Sequence, residues 1–230
     1  MATYLLVSFK TCPWVQRAAI VLREKRTDFE FRHIDPDNRP DWFLAISPHK
    51  KVPVLRIDDR ASLFESNAIA EYLDETIAPR LHPEDPIERA MNRAWTDYVP
   101  SFAEAVTATA YADSEADYHK AAARIPGPFE RLERALERQG DGPFFNGAKY
   151  SLVDAAYAPF LQRYFFLDRV KPLGHMEKFP RLAAWGRALV ARPSTHSFPE
   201  AEFEAMYREN LQRRKKWVSQ FIETSRVAAE

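Results

Sequence analysis

Apolar positions follow strand and helix periods by turns in the first third of the chain, and helical periods alone after it. Tyr4-Leu5-Leu6-Val7 is a short unbroken apolar run, which predicts a buried strand. Val15, Ala18, Ala19 and Leu22 recur at helical spacing. Pro13 stands at the first position of that helix, where its fixed φ suits the turn and its missing N–H costs nothing. Phe29 to Ile34 alternates and predicts a second strand. Asp35 to Pro40 reads as loop and Asp41 to Ile46 as a short helix. Val52 to Ile57 predicts a third strand. Pro53 cannot donate to a ladder, so it must lie at that strand's start or on an edge. Asp58-Asp59-Arg60 is a tight turn, and Ala61 to Phe64 pairs back as a hairpin partner. Glu65-Ser66-Asn67 then starts a helix through Ile69, Tyr72 and Leu73. The order βαβαββα predicts a small α/β domain with a mixed sheet over residues 1–78.

Pro79, Pro83 and Pro86 stiffen the next stretch, so residues 79–86 read as a linker. No strand-like alternation returns beyond it, and residues 87–230 read as an all-α domain. Its first helix runs from Ile87 to Ala112. Ala116 to Gln139 is broken at Pro126-Gly127-Pro128, and Gly140 to Pro143 is loop. Ser151-Leu152-Val153-Asp154 has the shape of a capping box, with Asp in place of the usual Glu. It opens an unusually apolar helix through Tyr157, Phe160, Tyr164 and Leu167, expected at the centre of a bundle. Pro180 to Ala191 and Glu200 to Thr224 give two more helices.

Composition narrows the function classes. Among 230 residues, 46% are hydrophobic, enough for a substantial core. Lys+Arg and Asp+Glu balance at 33 each, which gives no reason to expect a nucleic-acid or anionic-membrane partner. No apolar run approaches the roughly 20 residues of a membrane span. The start of the sequence lacks the basic-then-apolar layout of a secretory signal. With a single Cys, this suits a reducing cytoplasm. The six His show no ligand spacing, so no metal is expected. The basic run Arg213-Arg214-Lys215-Lys216 reads as a solvated helix face.

Cys12 sits where the first strand hands over to the first helix. A lone Cys is commonly a buried structural residue. Held over the unpaired N–H groups of a helix N-terminus, it is a candidate reactive centre, because their partial positive charge favours the thiolate. Val15 stands where a Cys-x-x-Cys pair would carry its second thiol. A mixed disulfide at Cys12 therefore has no internal thiol to resolve it, and a small external thiol must do so.

Three segments carry a family resemblance: Thr11-Cys12-Pro13-Trp14, Lys51-Val52-Pro53-Val54-Leu55 and Leu63-Phe64-Glu65-Ser66-Asn67-Ala68-Ile69-Ala70-Glu71-Tyr72-Leu73. In this order, ahead of a helical second half, they resemble the cytosolic glutathione transferases over nearly the whole chain. A Cys where many classes place Ser or Tyr, with Asn38-Arg39-Pro40-Asp41-Trp42-Phe43, is similar to the omega class. The resemblance implies a thioredoxin-like N-terminal domain followed by an all-α domain, and a homodimer. It implies glutathione as cosubstrate. Cys12 would be the nucleophile. Trp14, Arg39, Val52, Pro53, Glu65 and Ser66 would bind glutathione, with Pro53 cis.

Each residue keeps a plainer alternative. Ser66 is also an ordinary helix cap, Glu65 a surface acid near a helix start, and Arg39 a solvated loop residue. Ser66 and the helix N–H groups suit the γ-glutamyl carboxylate, and Glu65 suits its ammonium. Arg39 suits the glycyl carboxylate. Arg163, Tyr164, Tyr207 and Trp217 are the expected second-substrate residues, with helix packing as the alternative for the three aromatics. The implied reaction is thiol transfer to or from a small electrophilic or glutathionylated substrate, dehydroascorbate included. One rival is a lyase that removes glutathione from aromatic thioethers, with Tyr207 supplying a proton. Another is a non-catalytic protein of the same fold, similar to stringent-starvation regulators or intracellular chloride channels.

Overall fold

A computed structural model of the chain describes residues 2–137 and 141–222. The chain divides into two compact units. The first takes Met1–Thr96, Ser151–Pro159 and Pro193–Ser197, and the second takes Asp97–Tyr150, Phe160–Arg192 and Phe198–Glu230. The first unit thus extends past residue 78 and gathers two later segments of the chain.

The first unit begins β1 (Tyr4–Ser8), α1 (Pro13–Glu24), β2 (Glu30–His33), α2 (Asp41–Ile46), β3 (Val54–Ile57), β4 (Ala61–Phe64) and α3 (Ser66–Thr76). Its four strands form one mixed sheet in the order β2-β1-β3-β4. β1 and β2 run parallel, with Ser8 opposite His33. β3 runs antiparallel to β1, with Val7 opposite Val54, and β4 antiparallel to β3, with Val54 opposite Phe64. This is a thioredoxin-like sheet. β3 is interior and begins at Val54, two residues later than the alternation predicted, because Pro53 brings no N–H to a ladder.

α1 is buried all round from Val15 to Leu22. Each enclosed Ile or Leu there contributes about 1.5–3 kcal/mol over leaving it in water. A helix buried on every side must also satisfy its polar residues. Gln16 donates to the Thr195 carbonyl at 2.6 Å, and Arg17 donates to Ser66 Oγ and Asn67 Oδ1 at 3.1 and 3.0 Å. At the far end, Lys25 Nζ meets Asp74 Oδ1 at 2.9 Å and donates to the carbonyls of Ile77 and Pro79. Asp74 in turn accepts from the backbone N–H groups of Leu81 and His82. The proline-rich stretch is therefore fastened to α1 and α3 by a buried ion pair, which its composition did not announce.

α4 (Pro86–Ala110) and α7 (Leu152–Val170) each run through both units. The expected cap of α7 is present. Asp154 Oδ2 accepts from the Ser151 N–H and hydroxyl, each at 2.7 Å, and both residues are fully buried.

The second unit adds α5 (Glu115–Ala122), α6 (Pro126–Leu136), α8 (Pro180–Ala191) and α9 (Glu200–Arg213). The break expected at Pro126-Gly127-Pro128 is real, since Pro126 opens α6; Gln139 and Gly140 lie outside the described residues. The helix expected from Glu200 to Thr224 instead ends at Arg213. Lys215 adopts φ 52°, and a short 3-10 helix follows at Trp217–Phe221; Thr224 lies outside the described residues. One buried cluster of this unit gathers Tyr118, Phe166, Leu167, Phe203, Tyr207 and Leu211 among others. Among the described residues, no helix is long and apolar enough to cross a membrane.

Candidate active site

Sheet register decides where the site residues meet. Val7, Val54 and Phe64 stand side by side on neighbouring strands, and Ser8 stands beside His33. The chain leaving β1 towards Cys12, the chain entering β3 through Val52-Pro53, the exit of β4 into Glu65-Ser66 and the exit of β2 towards Arg39 therefore share one end of the sheet. Three short motifs far apart in sequence converge because one strand pairing pattern brings them there.

Cys12 is the N-cap of α1 and half-buried, and Pro13 takes the first helical position. Its own N–H donates to the Phe9 carbonyl at 3.1 Å, and its carbonyl accepts from the Gln16 N–H at 3.2 Å. The first turn of α1 holds no acidic residue to offset the positive end of the helix. One turn on, Arg17 lies 5.8 Å from the ring centroid of the half-buried Trp14 while it bonds Ser66 and Asn67. Arg17 thus ties the start of α1 to the start of α3.

Glu65, not Ser66, is the N-cap of α3, with φ 65° and ψ 119°, and its side chain makes no cap bond. Ser66 is the first helical residue. It is 5% exposed, and its hydroxyl accepts from Arg17 rather than capping the helix. A Glu held at that φ sits in strained backbone, a cost of about 1–3 kcal/mol that the surrounding structure must offset. Its carboxylate Oε1 lies 2.8 Å from His49 Nε2. Val52 is 9% exposed, and the Val52–Pro53 peptide is cis. Arg39 is exposed but tethered: it donates to the carbonyls of Pro36 and Lys50 and lies over the Phe9 ring at 5.5 Å. All six expected glutathione residues and Cys12 thus belong to one connected neighbourhood. Arg17, His49 and Phe9 complete it and were missed. Arg17 carried a usable signal, a charge at a buried helical position five residues after Cys12; His49 carried none beyond its nearness to Val52.

The residues expected to meet a second substrate lie in the second unit and split into two groups. Arg163 is 4% exposed, with its guanidinium over the rings of Phe203 and Tyr207 at 5.0 and 5.7 Å. Tyr207 is 2% exposed and stacks on Phe203 at 5.8 Å. Burial, with the neighbouring Tyr111, pushes its hydroxyl pKa up, although Arg163 pulls the other way. Trp217 belongs to the edge of the same cluster, 4.7 Å from Tyr118 and 4.9 Å from Phe221. Tyr164 stands in a different aromatic group, against Phe129 at 4.9 Å, and is fully buried. Burial and the Asp168 charge push its hydroxyl pKa up as well.

The glutathione S-transferase N-terminal domain model matches residues 6–80, and the C-terminal domain model matches 93–188. The chain is 35% identical to glutathione S-transferase L1 of Arabidopsis thaliana, over 80% of this chain and 76% of that one. The chain belongs to the glutathione S-transferase family. A probable glutathione transferase omega-2 of Caenorhabditis briggsae is 32% identical, over 83% of this chain and 78% of the other. The crystal structure of rice GST1 in complex with glutathione superposes with a TM-score of 0.78 at 28% identity, covering 92% and 97% of the two chains. The glutathione transferase described here is therefore similar both to omega-class proteins and to plant members of the family.

Proposed function

We propose that this glutathione transferase is a cytoplasmic, homodimeric, omega-like enzyme that transfers thiols through Cys12. The observation that carries the reading is the position of Cys12 at the N-cap of α1, with Pro13 after it and no acid in the first turn. That environment favours the thiolate. The thiolate attacks the glutathionyl sulfur of a small mixed disulfide. A Cys12–glutathione disulfide forms, and the substrate thiolate leaves and takes a proton from water. A glutathione thiolate then attacks the glutathionyl sulfur on Cys12, which releases oxidised glutathione and restores the Cys12 thiolate. Reduction of dehydroascorbate would use the same thiol.

Glutathione lies with its ammonium on Glu65 and its γ-glutamyl carboxylate on Ser66 and the first N–H groups of α3. Its cysteinyl backbone meets Val52 and its glycyl carboxylate meets Arg39, with Trp14 alongside. The glutathione-bound rice relative supports glutathione as the thiol. Tyr207 is 2% exposed and enclosed among aromatic rings, which keeps its hydroxyl from a thioether and favours thiol transfer over thioether cleavage. The thiol at a helix N-cap argues against a scaffold similar to stringent-starvation regulators, and the balanced charge argues against a protein similar to intracellular chloride channels.

Oxidised glutathione should add one glutathionyl group per chain, at Cys12, read by mass spectrometry. Cys12→Ala should lose thiol transfer from a small glutathionyl disulfide while the Kd for glutathione stays within about threefold. Full activity in Cys12→Ala overturns the reading. Light scattering at micromolar concentration should give twice the 26.6 kDa of one chain.

A further inference from the structure

Glu65 is a residue that needs holding. It occupies positive-φ backbone, and its side chain is 65% exposed, so nothing in its own helix fixes its rotamer. Two contacts from other elements bracket it. Arg17 grips the next two residues, Ser66 and Asn67, through their side chains. On the other side, His49 Nε2 lies 2.8 Å from Glu65 Oε1.

The His49 ring is itself fixed. The turn that carries it is closed by Ser47, whose hydroxyl donates to the Lys51 carbonyl at 2.9 Å and accepts from the Lys51 N–H at 3.0 Å. Phe64 packs edge-on against the imidazole, with centroids 5.2 Å apart. This contact follows from the sheet, because Phe64 pairs with Val54 at the start of β3, just after the His49 turn. Among the described residues the enclosed ring nitrogen Nδ1 has no hydrogen-bond partner, and the imidazole's polar contact is made at Nε2. Oε1 of Glu65 is taken by His49, and among the described residues no partner of Oε2 is seen.

We propose that His49 is a positioning residue for glutathione, orienting the Glu65 carboxylate through Oε1 so that Oε2 meets the γ-glutamyl ammonium. This rests on the reading of Glu65 as the ammonium acceptor. An exposed Glu left to itself spreads over several rotamers and must be ordered when the ligand arrives; His49 does that ordering in advance. The gain falls on one functional group of glutathione and on binding rather than turnover.

The test pairs two ligands, glutathione and its deaminated analogue, which has hydrogen where glutathione has the γ-glutamyl ammonium. His49→Phe keeps the ring against Phe64 and removes both nitrogens. It should weaken glutathione about five- to tenfold and leave the analogue unchanged, with KM raised and kcat unaltered. His49→Gln, which can return an N–H near the position of Nε2, should recover most of that loss. Glu65→Gln should weaken glutathione at least as much as His49→Phe. Equal weakening of both ligands by His49→Phe, or no effect on either while Glu65→Gln weakens glutathione, overturns the role of His49 and leaves Glu65 in place. No loss of glutathione in Glu65→Gln overturns the Glu65 reading and the inference with it.

Discussion

The Cys12 end of the first unit and the aromatic cluster of the second use different parts of their residues. Around Cys12 the working atoms are backbone groups and short polar side chains, set by sheet register and by two helix starts. Cys12 is half-buried, and Arg39 and Glu65 are exposed. Around Tyr207 the atoms are ring faces, and Arg163, Phe203 and Tyr207 are each at most 4% exposed. The first region spends backbone strain on a site open to solvent. The second gains stability from enclosure, and its buried Arg163 lies over two rings. So substitutions in the first region should change binding and chemistry more than stability, and those in the second should do the reverse.

The largest effect should come from emptying the second region. Tyr207→Ala leaves a cavity among Phe166, Phe203 and Tyr111 and should cost about 3–5 kcal/mol in urea unfolding. Tyr207→Phe keeps the ring and should cost about 1 kcal/mol. If Tyr207→Ala kept its stability and lost turnover instead, the enclosure argument would fail and Tyr207 would belong with the chemistry.

In the first region Arg39→Ala should shift stability by less than about 0.5 kcal/mol, because its tethers are surface hydrogen bonds. Glutathione should nonetheless bind about fivefold more weakly, by loss of the glycyl carboxylate's partner. Unchanged affinity, read by calorimetry, would return Arg39 to the status of a loop residue.

A third comparison lies within the first unit. Burial alone would push the Glu71 carboxyl up, but hydrogen bonds from His82 and Arg93, with their charges, outweigh it and hold the pKa below the ordinary 4.5. The stabilisation is therefore complete above about pH 4.5 and disappears as the pH falls through the folded-state value. Glu71→Gln should cost up to about 1 kcal/mol at neutral pH and nothing once both proteins are fully protonated. A gap between the two denaturation midpoints that stayed constant down to acid pH would assign the effect to packing.

These contrasts explain what could be read from the residues alone. The order βαβαββα and the Ser151–Asp154 cap follow from local periodicity and capping chemistry, and the mixed sheet was expected from that order. Cys12 stood out by its place at a strand-to-helix junction, whereas Val52, Glu65 and Ser66 were proposed only through the family resemblance of their short motifs. His49 was not legible, and Arg17 showed only as a charge at a helical position, because their partners come from α3 and from the β4 exit, and only strand register sets those distances. The aromatic residues gave a period and no more: Tyr164 and Tyr207 follow the same apolar spacing yet stand in separate groups. The end of α9 was missed for a local reason. Lys215 is not a residue that announces a left-handed turn.

That last point yields the smallest prediction, and it joins the two units. α1 and α9 end alike. After α1, Arg26 adopts φ 51°, its N–H donates to the Arg23 carbonyl, and the Thr27 N–H reaches back to Leu22. After α9, Lys215 adopts φ 52°, its N–H donates to the Gln212 carbonyl, and the Lys216 N–H reaches back to Leu211. Both are Schellman endings, in which the left-handed position normally belongs to Gly. A side chain with a Cβ pays about 1 kcal/mol to stand there, while Gly costs more chain entropy on folding. Both Arg26 and Lys215 are exposed, so replacing either removes little packing. Arg26→Gly and Lys215→Gly should therefore each raise stability by about 0.5–1 kcal/mol, in separate units, and the double variant should show the sum. The two Ala variants should show no such gain, since Ala carries the same Cβ. Destabilisation by Gly at either position, measured in urea, would mean that these side chains hold their turns by contacts that outweigh the backbone cost.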